Sequence, residues 1–377
     1  MIVVIVIGIM AIFFAYIAQV KRLRFCLKIS FLIIFLFLAL RYNYGNDYMS
    51  YLNMFFDINQ RGFESFRDLW MNTFLFNIIS PDNEELKFVF ANSSNVELGW
   101  QALCLMFKPF GFFAMIAFLA LFNCVVYYFF IKKYVPPAYY WLAVFLYVFS
   151  PSLMLTHSSA MRQSVAIALF LIAINYIYEK KFLRYTLLIS LATLFHASAI
   201  ILLPIYLLGV LRFKTSTPIA IGAFLLFLVL FLLKDPLLQA MGVFVSTYAS
   251  KYEVYQEASA IGSGLGVILS STFLILILLY DKYQNKEISL QFKIAILSFF
   301  LIPLSLVVMM IGRLSLYFLP PLITVYPMVL LKMDNYLFKY SFMVIIVLWT
   351  LYGLLVFFQS DIYRIPFGTY DTIFSSL

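Results

Sequence analysis

The sequence has 377 residues, of which 64% are hydrophobic and only 11% are charged, with a net charge of +9. This composition excludes a soluble globular enzyme and predicts an all-α, polytopic integral membrane protein. The positive charge does not indicate a nucleic-acid partner, because basic excess in a membrane protein mainly marks the loops that face the cytoplasm. We expect a single polytopic domain over residues 1–377, with about 11–12 membrane helices or half-helices.

Uncharged runs along the chain predict the membrane spans, because most of them approach the roughly 20 residues that cross about 30 Å of hydrocarbon. The first run has no basic segment before it and no small-residue cleavage site, so it predicts a first span and not a removed signal peptide. The runs are residues 1–20, 29–40, 110–131, 134–156, 163–178, 185–211, 215–233, 258–280, 294–312, 314–331 and 340–360.

Basic clusters at six ends of these runs predict the orientation of the chain, because such clusters favour the cytoplasmic side. If all six face the cytoplasm, the run 185–211 must enter the membrane and return, as two half-length helices that meet near His196. A single tilted span at this place is the alternative, and it would reverse every later span. The orientation also predicts that the segments 42–109, with short helices lying at the membrane surface, and 234–257 are extracytoplasmic.

A polar segment, Arg41-x-x-x-Gly45-x-Asp47-x-x-x-Tyr51, begins where the run 29–40 ends. An arginine this close to hydrocarbon needs a partner or must reach the interface. The simplest interpretation is a helix end whose tyrosines act as interfacial anchors. The alternative is a functional site, because later parts of the chain deliver similar residues to the same side of the membrane.

Two later arginines are predicted at the same outer boundary. Arg162 opens the helix over 163–178, and Arg313 opens the helix over 314–331. A helix N-terminus with an arginine suits a phosphate group, so these residues and Arg41 predict a site for a lipid-linked pyrophosphate. In the simpler interpretation each arginine only ends a span and reaches the interface. The other polar residues predicted at this boundary are Asp47, Glu97, His157, Gln163 and Tyr317, and His196 reaches towards it from within the membrane.

No signature of a nucleotide-binding loop, a serine hydrolase or a zinc enzyme appears in the sequence. The three cysteines, Cys26, Cys104 and Cys124, stand singly in apolar surroundings. This spacing favours buried thiols over a disulfide framework or a metal site. We therefore expect chemistry without a metal and without a cofactor.

The order of these motifs resembles that of the EpsG-like, Wzy-type bacterial polysaccharide polymerases. Similar features occur along residues 41 to about 370, although each motif alone is weak, and family members often have Pro-Tyr in place of Pro366-Phe367. The matching segments are Arg41-x-x-x-Gly45-x-Asp47-x-x-x-Tyr51, Glu97-Leu98-Gly99, Met161-Arg162-Gln163, Phe195-His196, Gly312-Arg313-x-x-x-Tyr317 and Pro366-Phe367.

The resemblance implies a fold similar to the C-type membrane glycosyltransferases and a place in the bacterial plasma (inner) membrane. It also implies transfer of a growing glycan from undecaprenyl pyrophosphate to the terminal sugar of an incoming lipid-linked repeat unit, on the periplasmic or extracellular side. Expected partners are these two lipid-linked oligosaccharides, membrane lipid, and a flippase and chain-length regulator of the same pathway.

The residue types fit that chemistry. Pyrophosphate is a leaving group that needs mainly cationic stabilisation, for which Arg41, Arg162 and Arg313 are the candidates, with Gln163, Tyr317 and Tyr51 as further substrate contacts. The attacking hydroxyl needs a base, for which Glu97, Asp47 and His196 are the candidates. We expect Glu97 to be that base, because its place at the start of an apolar helix should raise its pKa by desolvation.

Three other functions share parts of this pattern. A flippase for lipid-linked oligosaccharides would also have many spans and arginines, but it would ordinarily show an internal repeat, and none is visible. An O-antigen ligase or an outer-face acyltransferase would have the same topology. The length of surface glycans in a deletion strain separates these alternatives.

Overall fold

The structure of the protein is a computed structural model that describes residues 1–61, 96–211, 289–304 and 309–374, together with four isolated positions between 222 and 233. Within these ranges nearly all of the chain is helical, and the two strands are two residues each. The predicted all-α fold class is confirmed. The predicted spans 215–233 and 258–280 and the loop 234–257 lie almost entirely outside the described residues.

The described helices follow one another closely along the chain, and two short strands join its early and late parts. Strand β1 pairs with β2 in antiparallel fashion, Arg41 opposite Thr372. The elements are α1 (Ile2–Ile17), α2 (Cys26–Ala39), β1 (Arg41–Tyr42), α3 (Tyr48–Arg61), α4 (Leu98–Met106), α5 (Phe112–Tyr134), α6 (Tyr140–Phe149), α7 (Thr156–Ser159), α8 (Met161–Tyr178), α9 (Phe182–Phe195), α10 (Leu290–Leu304), α11 (Met309–Ser315), α12 (Leu322–Lys332), α13 (Tyr336–Gln359), α14 (Asp361–Arg364) and β2 (Asp371–Thr372).

Three of the described helices, α5, α8 and α13, are long and apolar enough to cross a membrane. Several shorter apolar helices accompany them, among them α1, α2 and α9. A helix of about 20 residues is needed for a full crossing, so the shorter ones need their flanking residues or a thinner local bilayer. Together these helices make the chain a polytopic membrane protein.

The chain folds into two compact units, residues 1–203 with 344–377, and residues 204–343. In the first unit α1 packs on α2 and α6, α2 packs on α5, and α8 packs along α9. The buried side chains of α6 and α8 are almost all apolar, and they form the centre of this unit. In the second unit α10 packs against α11 and α12.

The run 134–156 was expected to be one span, and in the structure it is not one continuous α-helix. A 3-10 helix over Pro137–Tyr139 leads into α6, which covers ten residues, and the crossing of the membrane by this run stays a prediction. Two prolines, Pro136 and Pro137, delay the start of this helix. At its end Ser150 precedes Pro151 and is extended, because a residue before proline is pushed out of the helical region.

A helix break falls at His196, within the run 185–211. Helix α9 ends at Phe195, His196 is extended (φ −153°, ψ 111°), and a 3-10 helix follows over Ala197–Gly209. The α-helix is thus interrupted at the residue where two half-length helices were expected to meet. The return of the chain to the cytoplasmic side stays a prediction.

Candidate functional site

Glu97 joins two other charged or titratable side chains at the start of α4. Its Oε2 accepts a hydrogen bond from Nη1 of Arg162, the second residue of α8, and its Oε1 lies 3.3 Å from Nδ1 of His196 at the end of α9. The side chains of Glu97, Arg162 and His196 are 18%, 23% and 26% exposed. They are therefore partly shielded but still accessible, as a site that meets a substrate must be. We call these three residues the Glu97 site.

Gly99 is the reason that α4 can approach α9 this closely. A Cβ atom on Gly99 would lie 2.8 Å from the backbone oxygen of Leu194, at the end of α9. That distance is shorter than Cβ contacts in folded proteins. The glycine two residues after Glu97 thus lets the start of α4 sit against the turn that contains His196.

Two aromatic rings pack one after the other beside Arg162. The guanidinium carbon of Arg162 lies 5.8 Å from the ring centre of Tyr51 on α3, within the range of a cation–π contact. The Tyr51 ring contacts the buried Trp100 at 4.9 Å between centroids. Burial raises the pKa of the Tyr51 hydroxyl, so this hydroxyl stays protonated near neutral pH and keeps its ability to donate. The Tyr51 ring, which Trp100 holds in place, thus helps to orient the guanidinium of Arg162.

The pKa of Glu97 is lower than that of an ordinary glutamate, which overturns the expectation that it is raised. Burial alone would raise this pKa, but the hydrogen bond with His196 and the charge of Arg162 together outweigh burial. Burial is the largest single effect on this pKa, as expected, but the sequence did not show that Arg162 and His196 both contact the carboxylate. Glu97 is therefore held as a carboxylate and is a weak base in this state.

Arg41 is buried, with 2% of its surface exposed, and its guanidinium bonds to residues other than those of the Glu97 site. Its Nη1 donates to the carbonyl of Leu38, and its Nη2 donates to the carbonyl of His157 at 3.1 Å. These acceptors are neutral backbone groups of α2 and α7. Contact between Arg41 and a pyrophosphate stays a prediction that this geometry does not favour.

The simplest interpretation of the Arg41 segment, in which its tyrosines are interfacial anchors, does not hold for three of them. Tyr44, Tyr48 and Tyr51 are buried and belong to the aromatic core of the first unit. The ring of Tyr44 packs on Phe367, and Tyr48 packs on Phe112. The sequence did not predict this role, because a tyrosine near a helix end is equally common in a buried core and at a membrane interface as far as the sequence pattern can show.

The other predicted residues of the first unit lie in three different environments. Asp47 is exposed in the turn before α3, and the backbone N–H of Tyr51 donates to its carbonyl. Gln163 is buried in the first turn of α8, next to Arg162. His157 is buried in α7. The structure thus brings together Glu97, Arg162, His196 and Tyr51, whereas Arg41 and His157 form a separate buried pair.

Arg313 and Tyr317 belong to the second unit, and the expected helix start at Arg313 was wrong. Arg313 is exposed in the last turn of α11, and Tyr317 is buried in the turn that follows. The next helix starts only at Leu322, because Pro320 and Pro321 interrupt the chain. Arg313 therefore lacks the helix N-terminus that was expected to help it bind phosphate.

Trp100 and Ser159 are contacts that sequence reasoning missed. Trp100 is fully buried beside Tyr51, and the Oγ of Ser159 accepts a hydrogen bond from the backbone N–H of Asn46. A signal for Trp100 was its position directly after Gly99, in a helix that starts beside polar residues. No local pattern indicates the contact of Ser159, because its partner is 113 residues away.

Two observations concern metals and thiols. Cys26, Cys104 and Cys124 are free and buried, so the prediction of buried thiols is confirmed. Among the described residues, no group of three or more histidine, cysteine, aspartate or glutamate side chains is placed to hold a metal ion. Chemistry without a metal stays a prediction.

The fold and the Glu97 site define a class: a polytopic membrane protein with a carboxylate, an arginine and a histidine gathered at helix ends. The profile of the EpsG family matches residues 24–370, which is most of the chain, so the protein belongs to the EpsG family. This confirms the family indicated by the order of the motifs. No curated protein and no solved structure matched the chain.

Proposed function

We propose that this membrane protein joins lipid-linked oligosaccharide repeat units at the outer face of a bacterial plasma membrane. Its membership of the EpsG family supports a polysaccharide polymerase-type role. The donor is a glycan on undecaprenyl pyrophosphate, and the acceptor is the terminal sugar of the next lipid-linked repeat unit. The observation that supports a transferase site is the contact of Glu97 with both Arg162 and His196.

The reaction needs a cation for the leaving group and a base for the attacking hydroxyl. The acceptor oxygen forms a bond to the anomeric carbon of the donor, and the bond from that carbon to the pyrophosphate oxygen breaks. The pyrophosphate keeps the electron pair, and the hydroxyl proton moves to the base. Arg162 is partly exposed and presents a planar fork of donors, which suits the charge that develops on the pyrophosphate.

His196 takes the role of the base in this proposal, and Glu97 orients it. Because Nδ1 of His196 faces the carboxylate, the other ring nitrogen, Nε2, is left to accept the proton. A carboxylate that holds one imidazole nitrogen fixes the ring and stabilises the imidazolium that forms. Glu97 itself is a poorer base, since its two partners lower its pKa.

The remaining predicted substrate contacts have different standing in the proposal. Tyr51 and Gln163 flank Arg162 and support its placement. Asp47 is exposed close to Tyr51 along the chain and is the alternative base. Arg313 and Tyr317, in the second unit, stay predicted donor contacts on the strength of the resemblance alone.

Complementation of a deletion strain tests the function. A strain that lacks this protein should display surface glycans of one repeat unit, and the wild-type gene should restore long chains. Accumulation of lipid-linked polymer in the deletion strain would instead indicate a ligase, and repeat units trapped inside the cell would indicate a flippase. Unchanged glycan with an altered acyl content would indicate an acyltransferase.

Purified variants test the assignment of the base. His196→Ala should abolish polymerisation of lipid-linked repeat units, Glu97→Gln should slow it by about 100-fold, and Asp47→Asn should leave it nearly normal. Glu179→Gln serves as the matched control, because it changes an exposed carboxylate that pairs with Lys181 outside the site. Near-normal turnover by His196→Ala, together with inactivity of Asp47→Asn, would transfer the role of the base to Asp47.

A further inference from the structure

Arg41 is a buried cation whose hydrogen bonds join two elements of the first unit. Its guanidinium donates to the carbonyl of Leu38 in α2 and to that of His157 in α7, and 2% of the residue is exposed. A cation in such a place is retained where its hydrogen bonds hold neighbouring backbone together. Arginine suits this role because one planar group donates to carbonyls on separate elements.

The turn after Arg41 contacts the same short helix twice more. A Cβ atom on Gly45 would lie 2.4 Å from the backbone oxygen of Ser158, so only glycine permits this approach. One residue later, the backbone N–H of Asn46 donates to Oγ of Ser159 at 3.1 Å. Residues 41–46 therefore hold α7 along its length.

Helix α7 leads directly into Arg162. It ends at Ser159, and a single residue, Ala160 (φ −106°, ψ 64°), separates it from the start of α8 at Met161. Arg162 is the second residue of α8, and it holds Glu97. A shift of α7 would therefore move Arg162 relative to the carboxylate and the Tyr51 ring.

We infer that Arg41 is a positioning residue: with Gly45 and Asn46 it anchors α7, and this anchor sets Arg162 in the Glu97 site. Arg41 does not bind the pyrophosphate itself. The effect of this anchor on turnover rests on the proposed function, whereas its effect on the position of α7 does not.

A disulfide that replaces the anchor tests the inference in a background without the native thiols, Cys26→Ala, Cys104→Ala and Cys124→Ala. Arg41→Gln should lower polymer length or turnover at least about tenfold, because small misplacements of a catalytic group have large effects. Adding Asn46→Cys and Ser159→Cys, at a pair of residues already in contact, should restore activity after oxidation and lose it again after reduction. If the oxidised pair forms and activity stays as low as in Arg41→Gln alone, Arg41 acts on the substrate and the inference fails.

A second measurement needs no glycan assay. Ser158 is fully buried, so Ser158→Cys in the same background should react slowly with a maleimide, and Arg41→Gln should speed the reaction at least about fivefold if α7 is released. A separate protein that keeps only Cys104, which is also fully buried, controls for general unfolding and should react equally slowly with and without Arg41→Gln. An equal labelling rate of Ser158→Cys with and without Arg41→Gln would overturn the inference. Failure of the wild-type protein to polymerise would overturn the proposed function alone, since the labelling would still report on the anchor.

Discussion

Arg41 and Arg162 look alike in the sequence, because each stands at the boundary of an apolar run. In the folded protein their surroundings differ in two respects. Arg162 is partly exposed and faces a carboxylate, whereas Arg41 is fully buried and faces two backbone carbonyls. The first arrangement leaves a charge that a substrate can compete for, and the second leaves none that a substrate can reach.

The comparison shows that the acceptor decides what a boundary arginine does. A carboxylate is exchangeable, since a phosphate oxygen offers the guanidinium the same charge-assisted hydrogen bonds. A backbone carbonyl is not exchangeable, because its release would leave a buried polar group unsatisfied. The Glu97 site is therefore suited to binding and reacting with a substrate. The Arg41 region, by which we mean residues 41–46 together with α7, is suited to holding α2 and α7 in place.

The largest expected effect comes from Gly45→Ala in the Arg41 region. The new Cβ would press on the backbone oxygen of Ser158 at 2.4 Å, and φ is +125° at this position. The steric overlap and the unfavourable positive φ should together lower the free energy of unfolding by more than about 3 kcal/mol. The measurement is the yield of folded protein and its unfolding temperature in detergent.

Gly353→Ala is the control for that variant, because a Cβ at Gly353 in α13 meets nothing within 4 Å. It should leave stability unchanged or raise it by up to about 1 kcal/mol, as alanine favours a helix over glycine. Equal stability of Gly45→Ala and Gly353→Ala would show that the turn does not hold α7 closely.

The second effect is a loss of stability in mild acid that belongs to His157. Burial first, and then the charge of Arg41, lower the pKa of His157 from 6.5 to about 3. The unfolded chain therefore binds this proton below about pH 6.5 while the folded protein does not, so stability is complete above that pH and falls as the pH drops. The loss should reach about 2 kcal/mol at about pH 5.

Denaturant titrations of the wild type and His157→Asn at a series of pH values measure this loss. Asparagine cannot take up the proton, so the slope between about pH 6.5 and pH 5 should largely disappear in the variant. An identical slope in both proteins would mean that His157 is not held neutral beside Arg41.

The smallest effect concerns the Glu97 site and appears at lower pH. Because the pKa of Glu97 is below its ordinary 4.5, its stabilisation is present above pH 4.5 and is lost as the pH falls further. Glu97→Gln should lower the free energy of unfolding by about 1 kcal/mol near neutral pH, and the difference from wild type should vanish in stronger acid. Measuring Glu97→Gln in a protein that also carries His157→Asn separates the pH range of this loss from the pH range of the loss caused by His157.

Glu179→Gln is again the matched control, since it makes the same chemical change in an ion pair whose members are about half exposed. Pairs of this kind are screened by water, so no change in stability is expected. A loss in Glu179→Gln equal to that in Glu97→Gln would show that the contact of Glu97 with Arg162 and His196 contributes nothing particular to the site.

Local features of the chain were predicted well from sequence. The helical class follows from long uncharged runs, and the helix start at Arg162 and the break at His196 fall where the apolar pattern is interrupted. These features depend on residues that are neighbours along the chain. The order of motifs also indicated the EpsG family, which covers residues 24–370.

Features that depend on which helix ends meet could not be predicted. The pKa of Glu97 was expected to rise because the sequence shows its apolar neighbours but not Arg162 and His196, which are 65 and 99 residues away. Arg41 was grouped with the other arginines for the same reason, since its acceptor at His157 is 116 residues away. Arg313 is a different case, because Pro320 and Pro321, which delay the next helix, are visible in the sequence and their effect was overlooked.

The pairing of β1 with β2 has a consequence for how the protein is made. Arg41 is translated early, but its strand partner Thr372 and the N–H of Ile373, which donates to the carbonyl of Leu40, are translated more than 300 residues later. Nearly all of the described helices are therefore synthesised while this edge of β1 is still unpaired. The pairing of β1 with β2 is therefore a late event in assembly. The Arg41 segment acquires its final surroundings only when the C-terminal residues of the chain have been made.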